Sequence, residues 1–388
     1  MIKTVNNNRG FMMHYFDNAA TTRVYPEASL RAAHAMNQLY GNPSSLHKMG
    51  REAAAELARA RHAVAAALGA ADGEIIFTSG GTEGDNQAIQ SAMFAARRVG
   101  RHIITTETEH PAVLEPVRAF AAQGCEVTYL KPEKNGAVTA EALEAALRDD
   151  TALVSVMLVN NETGAVNPIA ALREAMTRRG SHAVLHCDAV QGLFKVPINA
   201  HALGVDLLTV SAHKIHAPKG AGALYIRKGF RAVPILLGGG QEGKLRSGTE
   251  NLPAIAGFGI AAHMGLSRFA ENARRIIELR QYFDAKLASD VPEARINFQD
   301  GVPHIASVCL PGCRSEVVLR ILSDRDVYVS AGSACAKGKR SHVLTACGLP
   351  SDVIDCTIRV SFSDLNDEAD IDALIEGLAA AYARFHRK

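Results

Sequence analysis

The chain has 388 residues, 47% of them hydrophobic, and its 42 basic and 40 acidic side chains leave a net charge of +2. That length exceeds one small core and predicts two or three domains, while near-neutrality without a basic stripe argues against a direct nucleic-acid partner. The N-terminus lacks the apolar run of a signal peptide, no stretch reaches the ~18 apolar residues of a membrane span, and the seven cysteines follow no regular spacing, so the expectation is a soluble, cytoplasmic protein with no membrane association and free thiols.

From residue 74 to 226, short apolar runs alternate with alanine-rich, helix-like stretches. Strands are predicted over EIIFTS (74–79), HIITT (102–106), CEVTYL (125–130), ALVSVMLV (152–159), AVLHCD (183–188), VDLLTV (205–210) and GALYI (222–226). Helices are predicted between most of them, over 84–98, 111–123 and 140–148. Such alternation implies an α/β fold with a mostly parallel sheet, covered by helices on both faces. Ligands on these sheets bind outside the carboxyl ends of the strands. Residues 41–68 read as a loop, GNPSS, feeding a long helix. After about residue 252 a long helical stretch, roughly 260–287, leads into a second α+β unit. That unit holds HIASVCL (304–310), a helix near 315–323, DVYVS (326–330), TIRVSF (357–362) and a final helix from about Asp367.

The predicted strands end in polar groups. Lys214, in SAHKIHAPKGAG (211–222), follows a buried-looking run. Burial lowers the pKa of an ammonium, and a partly neutral lysine is a nucleophile toward aldehydes; alone, the same segment also suits a surface lysine. SGGTEGDN (79–86) is a Gly-rich turn opening a helix, where backbone N–H groups favour a phosphate. It is equally what an ordinary strand–helix turn looks like. HCDAVQG (186–192) closes a strand with Asp188, then Gln191. A buried carboxylate needs a cation or N–H donors; a protonated pyridine nitrogen would serve, and so would a capping role. Gln191 could donate to a phenolic oxygen nearby. His110, in TETEHPAV (106–113), suits stacking on a flat ring, and also a plain surface or core histidine. Together these groups match what pyridoxal 5'-phosphate requires.

Here the chain resembles the NifS/IscS-like cysteine desulfurases, fold-type I pyridoxal phosphate enzymes of the class V aminotransferase family. The resemblance runs from YFDNAATT (15–22) to the final helix, through GNPSS, FTSGGTEGDN, TEHPAV, VNNETG, HCDAVQ, SAHKIHAPKG, GGGQEGKLRSGTEN, SAGSACAKGK and IRVSF. It implies a large cofactor domain over 16–260, and a small domain formed by 1–15 and 261–388 that carries a catalytic cysteine loop. It also implies that Lys214 bonds the cofactor, Asp188 pairs with the ring nitrogen and Gln191 with the ring hydroxyl. His110 is implied as the stacking residue and acid/base. Gly81, Thr82, Ser211 and His213 are implied to hold the phosphate, with Asn161 beside the cofactor. Thr249 is implied to reach the phosphate of the partner subunit in a homodimer, and Arg359 with Asn42 to grip the substrate carboxylate.

Cys335 separates this reading from a generic enzyme of the class. It sits in a small, polar, glycine-bearing segment, the composition of a loop. Lys337, Lys339 and Arg340 would favour its reactive thiolate. Cys125, Cys187, Cys309 and Cys356 lie in or beside strand-like runs and read as core thiols; Cys309 and Cys313 form a lone CxxxC, too little for zinc, and no metal is expected. The implied reaction converts L-cysteine to alanine and leaves a persulfide on Cys335. The sulfur would pass to an acceptor protein such as an iron–sulfur scaffold or a tRNA thiolase. Two alternatives stay open: a selenocysteine lyase or related lyase using the same cofactor, and a cofactor-bearing adaptor that docks sulfur acceptors.

Overall fold

The structure is a computed structural model that describes residues 13–331 and 340–385. Its centre is a seven-stranded sheet in the order Ile75–Thr78, Gly222–Ile226, Leu207–Ser211, Val184–Asp188, Thr151–Ser155, His102–Thr106 and Glu126–Leu130. Gly222–Ile226 runs antiparallel to both of its neighbours, and the other adjacent pairs are parallel. The central strands are buried along their whole length. That explains why they appear in the sequence as continuous apolar runs rather than alternating ones: helices cover both faces. Each of the seven expected strands is present, with ends shifted by at most a few residues.

Buried polar groups on the sheet are paired sideways. His102 reaches Thr151 and Thr128, both at 2.9 Å, and His186 reaches Ser155 at 2.9 Å. Behind the sheet, helices Pro26–Asn37, Lys48–Leu68 and Leu252–Ser267 pack on one another. Gly259 makes this close approach possible, because a Cβ there would stand 2.6 Å from Ala60 Cα.

The second unit is a four-stranded antiparallel sheet ordered Ser330–Ala331, Thr357–Ser361, Ile305–Cys309 and Arg295–Ile296. Helices Phe269–Asp290, Ser315–Ser323 and Glu368–Phe385 pack on it around a separate core. Phe362 meets Phe16 and Phe283 edge-on there, with ring centroids 5.6 and 5.3 Å apart.

One expectation is corrected. The helix predicted over 260–287 is two helices, Leu252–Ser267 and Phe269–Asp290, broken at Arg268 (φ −104°, ψ 7°). The break lets the first helix stay in the large core while the second turns to the small one. Two separate cores are formed by the chain. Phe16 is buried in the second core, and Ile255, Phe258, Ala261 and Met264, on both sides of 260, are buried in the first. Among the described residues, no helix is long and apolar enough to cross a membrane.

Candidate active site

The carboxyl ends of the parallel strands bring distant segments together. Leu207–Ser211 runs into a short turn, Ala212–Lys214, that presents Lys214. Its Nζ donates to the carbonyls of Ala19 and Ala20 at 2.6 and 2.8 Å. Burial, then Arg359 and Lys195, pull the amine down from the ordinary lysine value to about 7. About half of it is therefore neutral near pH 7, the form that attacks an aldehyde.

The neighbouring strand ends at Asp188, which is 4% exposed. One carboxylate oxygen accepts from the Val190 N–H at 2.9 Å. Among the described residues no basic side chain is hydrogen-bonded to it. Burial first, then the carboxylate of Asp85, raise Asp188 to about 7. Gln191, on the same turn, spends one N–H on the Ala19 carbonyl at 2.6 Å. Its side-chain oxygen is buried without a partner, as is the Ser211 hydroxyl.

The helix Gly81–Ala95 begins against this turn: a Cβ on Gly81 would stand 2.7 Å from Val190 Cγ2. Only glycine lets the helix start so near Asp188. Thr82 is exposed on that first turn. His213 is half-buried, its Nδ1 lies 3.2 Å from Thr21 Oγ1, and burial lowers it to about 4. His110 caps helix Pro111–Ala122, its Nδ1 accepting from the Ala112 N–H at 3.1 Å, so the proton of the neutral ring sits on Nε2. Desolvation, then Lys214 and His342, push it down to about 4, although the ring keeps an open face.

Arg359, in the middle of the small sheet, faces this group from the other unit. It is 5% exposed. Its Nη2 donates to Asp17 at 2.9 Å and its Nη1 to the Asn161 carbonyl at 3.0 Å. Nε is buried without a partner. Next to Asn161, Glu162 accepts from the Ser341 hydroxyl at 2.5 Å, and burial raises this carboxyl to about 7.

These positions tie Lys214, Gln191 and Arg359 to the arm residues Asp17–Ala20, with Asp188 on the same turn as Gln191. Asn42 and Thr249 do not join them. Both are exposed, and Asn42 accepts instead from the Ser44 N–H at 2.9 Å. Arg340, expected to favour the Cys335 thiolate, is paired with Asp355 in a two-pronged contact at 2.7 and 2.8 Å. Cys335, Lys337 and Lys339 lie outside the described residues. Cys125, Cys187, Cys309, Cys313 and Cys356 are buried, and Cys347 is half-buried.

Sequence reasoning missed three groups. FDNAATT carries the resemblance, yet its use of bare carbonyls against Lys214 has no side-chain signal. Glu109, fully buried beside His110, accepts from Thr106 and from the Met157 N–H, both at 2.9 Å, while its other oxygen has no partner. Burial raises it well above the usual carboxylate range. Asp85, raised to about 7 by burial, lies 3.5 Å from His186.

The donor set suits pyridoxal phosphate. An aldehyde would find a buried amine of lowered pKa, a protonated ring nitrogen would find a buried carboxylate, and the orphaned Ser211 hydroxyl and Gln191 oxygen are free to take polar groups of a ligand.

Comparison with known proteins agrees with this chemistry. A family model described as aminotransferase class-V matches residues 14–374. A cysteine desulfurase of Nostoc sp. is 42% identical over 366 residues, 93% of this chain and 91% of the relative. A solved NifS-like protein superposes with a TM-score of 0.90 at 36% identity, covering 95% of this chain and 99% of that one. A structure described as SspA in complex with cysteine gives a TM-score of 0.79 at 32% identity, covering 91% of this chain and 100% of that one. The chain belongs to the class V aminotransferase family, the pyridoxal phosphate-dependent enzymes. Within it the chain is a cysteine desulfurase.

Proposed function

We propose that Lys214 carries the cofactor and that Cys335 receives the sulfur of L-cysteine as a persulfide. The observation that carries this reading is the half-neutral amine of Lys214 between the buried carboxylate of Asp188 and the buried guanidinium of Arg359. Bound pyridoxal phosphate supplies an electron sink for the substrate α-carbon. Asp188 would keep a proton on the ring nitrogen, and Gln191 would serve the ring hydroxyl. His110 would stack on the ring, with Asn161 beside it. Gly81, Thr82, Ser211 and His213 would hold the phosphate.

Arg359, with Asn42, grips the substrate carboxylate through the N–H groups that Asp17 and Asn161 leave free, a charge-assisted arrangement. Lys214 Nζ would take the α-proton. The Cys335 thiolate then attacks the substrate sulfur. The carbon–sulfur bond breaks, the sulfur stays on Cys335, and the carbon skeleton leaves as alanine. The segment that carries Cys335 follows Ser330–Ala331, which pairs with Arg359 and Ile358. It ends before Ser341, which Glu162 holds. Both flanks therefore lie beside the proposed carboxylate grip.

The proposed active unit is a homodimer in which Thr249 reaches the partner's cofactor phosphate. Leu30, Met36, Tyr40, Leu46, Leu236 and Leu237 are exposed on the single chain. So much apolar surface on two segments fits coverage by a second copy. The proposed acceptor is a partner protein such as an iron–sulfur scaffold or a tRNA thiolase, in the cytoplasm. The division into a large and a small domain follows the two cores.

The test is direct. Incubation with cysteine, alkylation and peptide mapping should place the extra sulfur on Cys335, and Cys335→Ser should bind cofactor yet release almost no alanine. Sulfur mapped mainly to Cys347 or Cys125, or a Cys335→Ser variant that turns over cysteine at the wild-type rate, moves the reading to a lyase of the same class.

A further inference from the structure

A cavity of about 50 Å³, enough for a few waters, lies between the two cores and is lined by Lys195, Lys214, His216, His304, Asp364 and Tyr25 among others. Two of its walls are strained. Phe194 holds a left-handed backbone (φ 60°), as does His216 (φ 64°). Histidine enters this region more often than most residues, but bulky Phe194 does not, and such strain persists where the surroundings enforce it. The Phe194 ring lies where a Cβ on Gly265 would come within 2.4 Å. His216 stacks on Tyr25 with ring centroids 4.3 Å apart.

The left-handed turn at Phe194 presents Lys195 to the cavity. The Lys195 Nζ donates to the carbonyl of Lys214 at 3.2 Å. Asp364, the carboxylate of the cavity, is taken by Tyr25 at 2.7 Å, His216 at 3.3 Å and Asn272 at 3.5 Å. Among the described residues no carboxylate forms an ion pair with Lys195. An ammonium kept in such a place without an acid is costly. Burial lowers it to about 8, which leaves it mostly charged at neutral pH.

We propose that Lys195 is a positioning residue for the reaction: its ammonium, tied to the Lys214 carbonyl and facing the same cavity, fixes a positive charge behind the reactive amine. The groups facing Lys214 are Arg359 and Lys195, both cationic, the neutral rings of His110 and His213, and the carboxylates of Asp188 and Asp17. The two cations differ in use. Arg359 is the proposed partner of the substrate carboxylate, so its repulsion toward Lys214 weakens when substrate binds. Lys195 belongs to a cavity lined by Lys214, His216 and His304, and its charge persists through that event.

The inference rests on Lys214 as the cofactor-bearing lysine, and the test separates the two. Borohydride tagging of another lysine ends the reading of Lys214, whereas competitive acetylation of the full-length, cofactor-free chain reports the Lys214 amine itself. Lys195→Met and Lys195→Gln remove the charge, glutamine keeping a donor one bond shorter, and Lys195→Arg keeps the charge. In both neutral variants the Lys214 titration midpoint should rise by roughly one pH unit, about fivefold less neutral amine at pH 7. The arginine variant should stay near wild type. In the cofactor-loaded protein, the absorbance titration of the lysine–cofactor bond should move in the same order. An unchanged Lys214 midpoint in a folded neutral variant, with only the melting temperature lowered, would make Lys195 a structural tie and overturn the proposal. Should neither neutral variant fold, the wild type decides: Lys195 must still be protonated where Lys214 titrates, so competitive acetylation should give it the higher midpoint of the two, and a Lys195 midpoint at or below that of Lys214 overturns the proposal.

Discussion

The half of the site on the seven-stranded sheet and the half on the small sheet are held by different means. Lys214, Asp188, Gln191 and His110 stand within a few residues of strand ends, and the register of buried strands fixes where their backbones lie. Arg359 and Ser341 depend on contacts that cross from one unit to the other, Arg359 with Asn161 and Ser341 with Glu162, and Arg359 also on the arm residue Asp17. Chemistry that must stay fixed on a cofactor is carried by sheet geometry. Chemistry that must recognise substrate and serve the Cys335 segment is carried by a few charged hydrogen bonds between units. Disturbing the first half should abolish a chemical step, whereas disturbing the second should change affinity and pH response.

The largest expected effect tests the sheet half. Lys214→Ala should lower turnover by at least about a thousandfold, and borohydride reduction should then tag no lysine. Retention of a reducible cofactor bond elsewhere would break the assignment. Asp188→Asn should cost roughly 10- to 100-fold in kcat, the loss of one charge-assisted bond. The cofactor-free variant should be the more stable protein above pH 7, because it no longer ionises a buried carboxyl; a variant less stable at every pH would contradict the burial argument.

On the small-sheet side the expected changes are in affinity. Arg359→Ala should raise KM for cysteine roughly 10- to 100-fold, about 1.5–3 kcal/mol, with cofactor absorbance retained. An unaltered KM removes Arg359 from the site, and loss of cofactor would show that the two halves are not separable in this way.

The smallest effect concerns Glu162, whose folded value is raised to about 7 by burial. Unfolded, the carboxyl ionises near its ordinary value of about 4.3. Below that pH it is neutral in both states and burial carries no ionic penalty. Between about 4.3 and 7 the unfolded chain gains charge first, so stability falls as pH rises, and above 7 the loss is complete. Glu162→Gln should flatten this segment of the stability–pH curve, read by urea unfolding at pH 4.5, 6 and 8. Parallel curves for the two proteins would place the Glu162 carboxyl in a wetter setting than the Ser341 contact implies.

The sequence carried the sheet far better than the joints. The seven strands were legible because each is a short apolar run bounded by turn residues, a local pattern set by burial on both faces. Helix Pro26–Asn37 left little trace, since it buries only Ala28, Ala32 and Ala35. The helix break at Arg268 is a tertiary choice between two cores. Lys214, Asp188 and His110 stand out because a costly polar residue at the end of an apolar run calls for a reason.

By itself the sequence determined the α/β layering, the strand-end residues and the family, because these rest on local patterning and on motifs that sit at turns. Only the tertiary structure decided that the Ala19 and Ala20 carbonyls meet Lys214, that Asp17 meets Arg359, and that Lys195 turns inward. A backbone carbonyl is the same at every residue, and a lysine looks the same in sequence whether it faces water or a cavity. Which partner each one meets depends on contacts between segments as many as 342 residues apart in the chain.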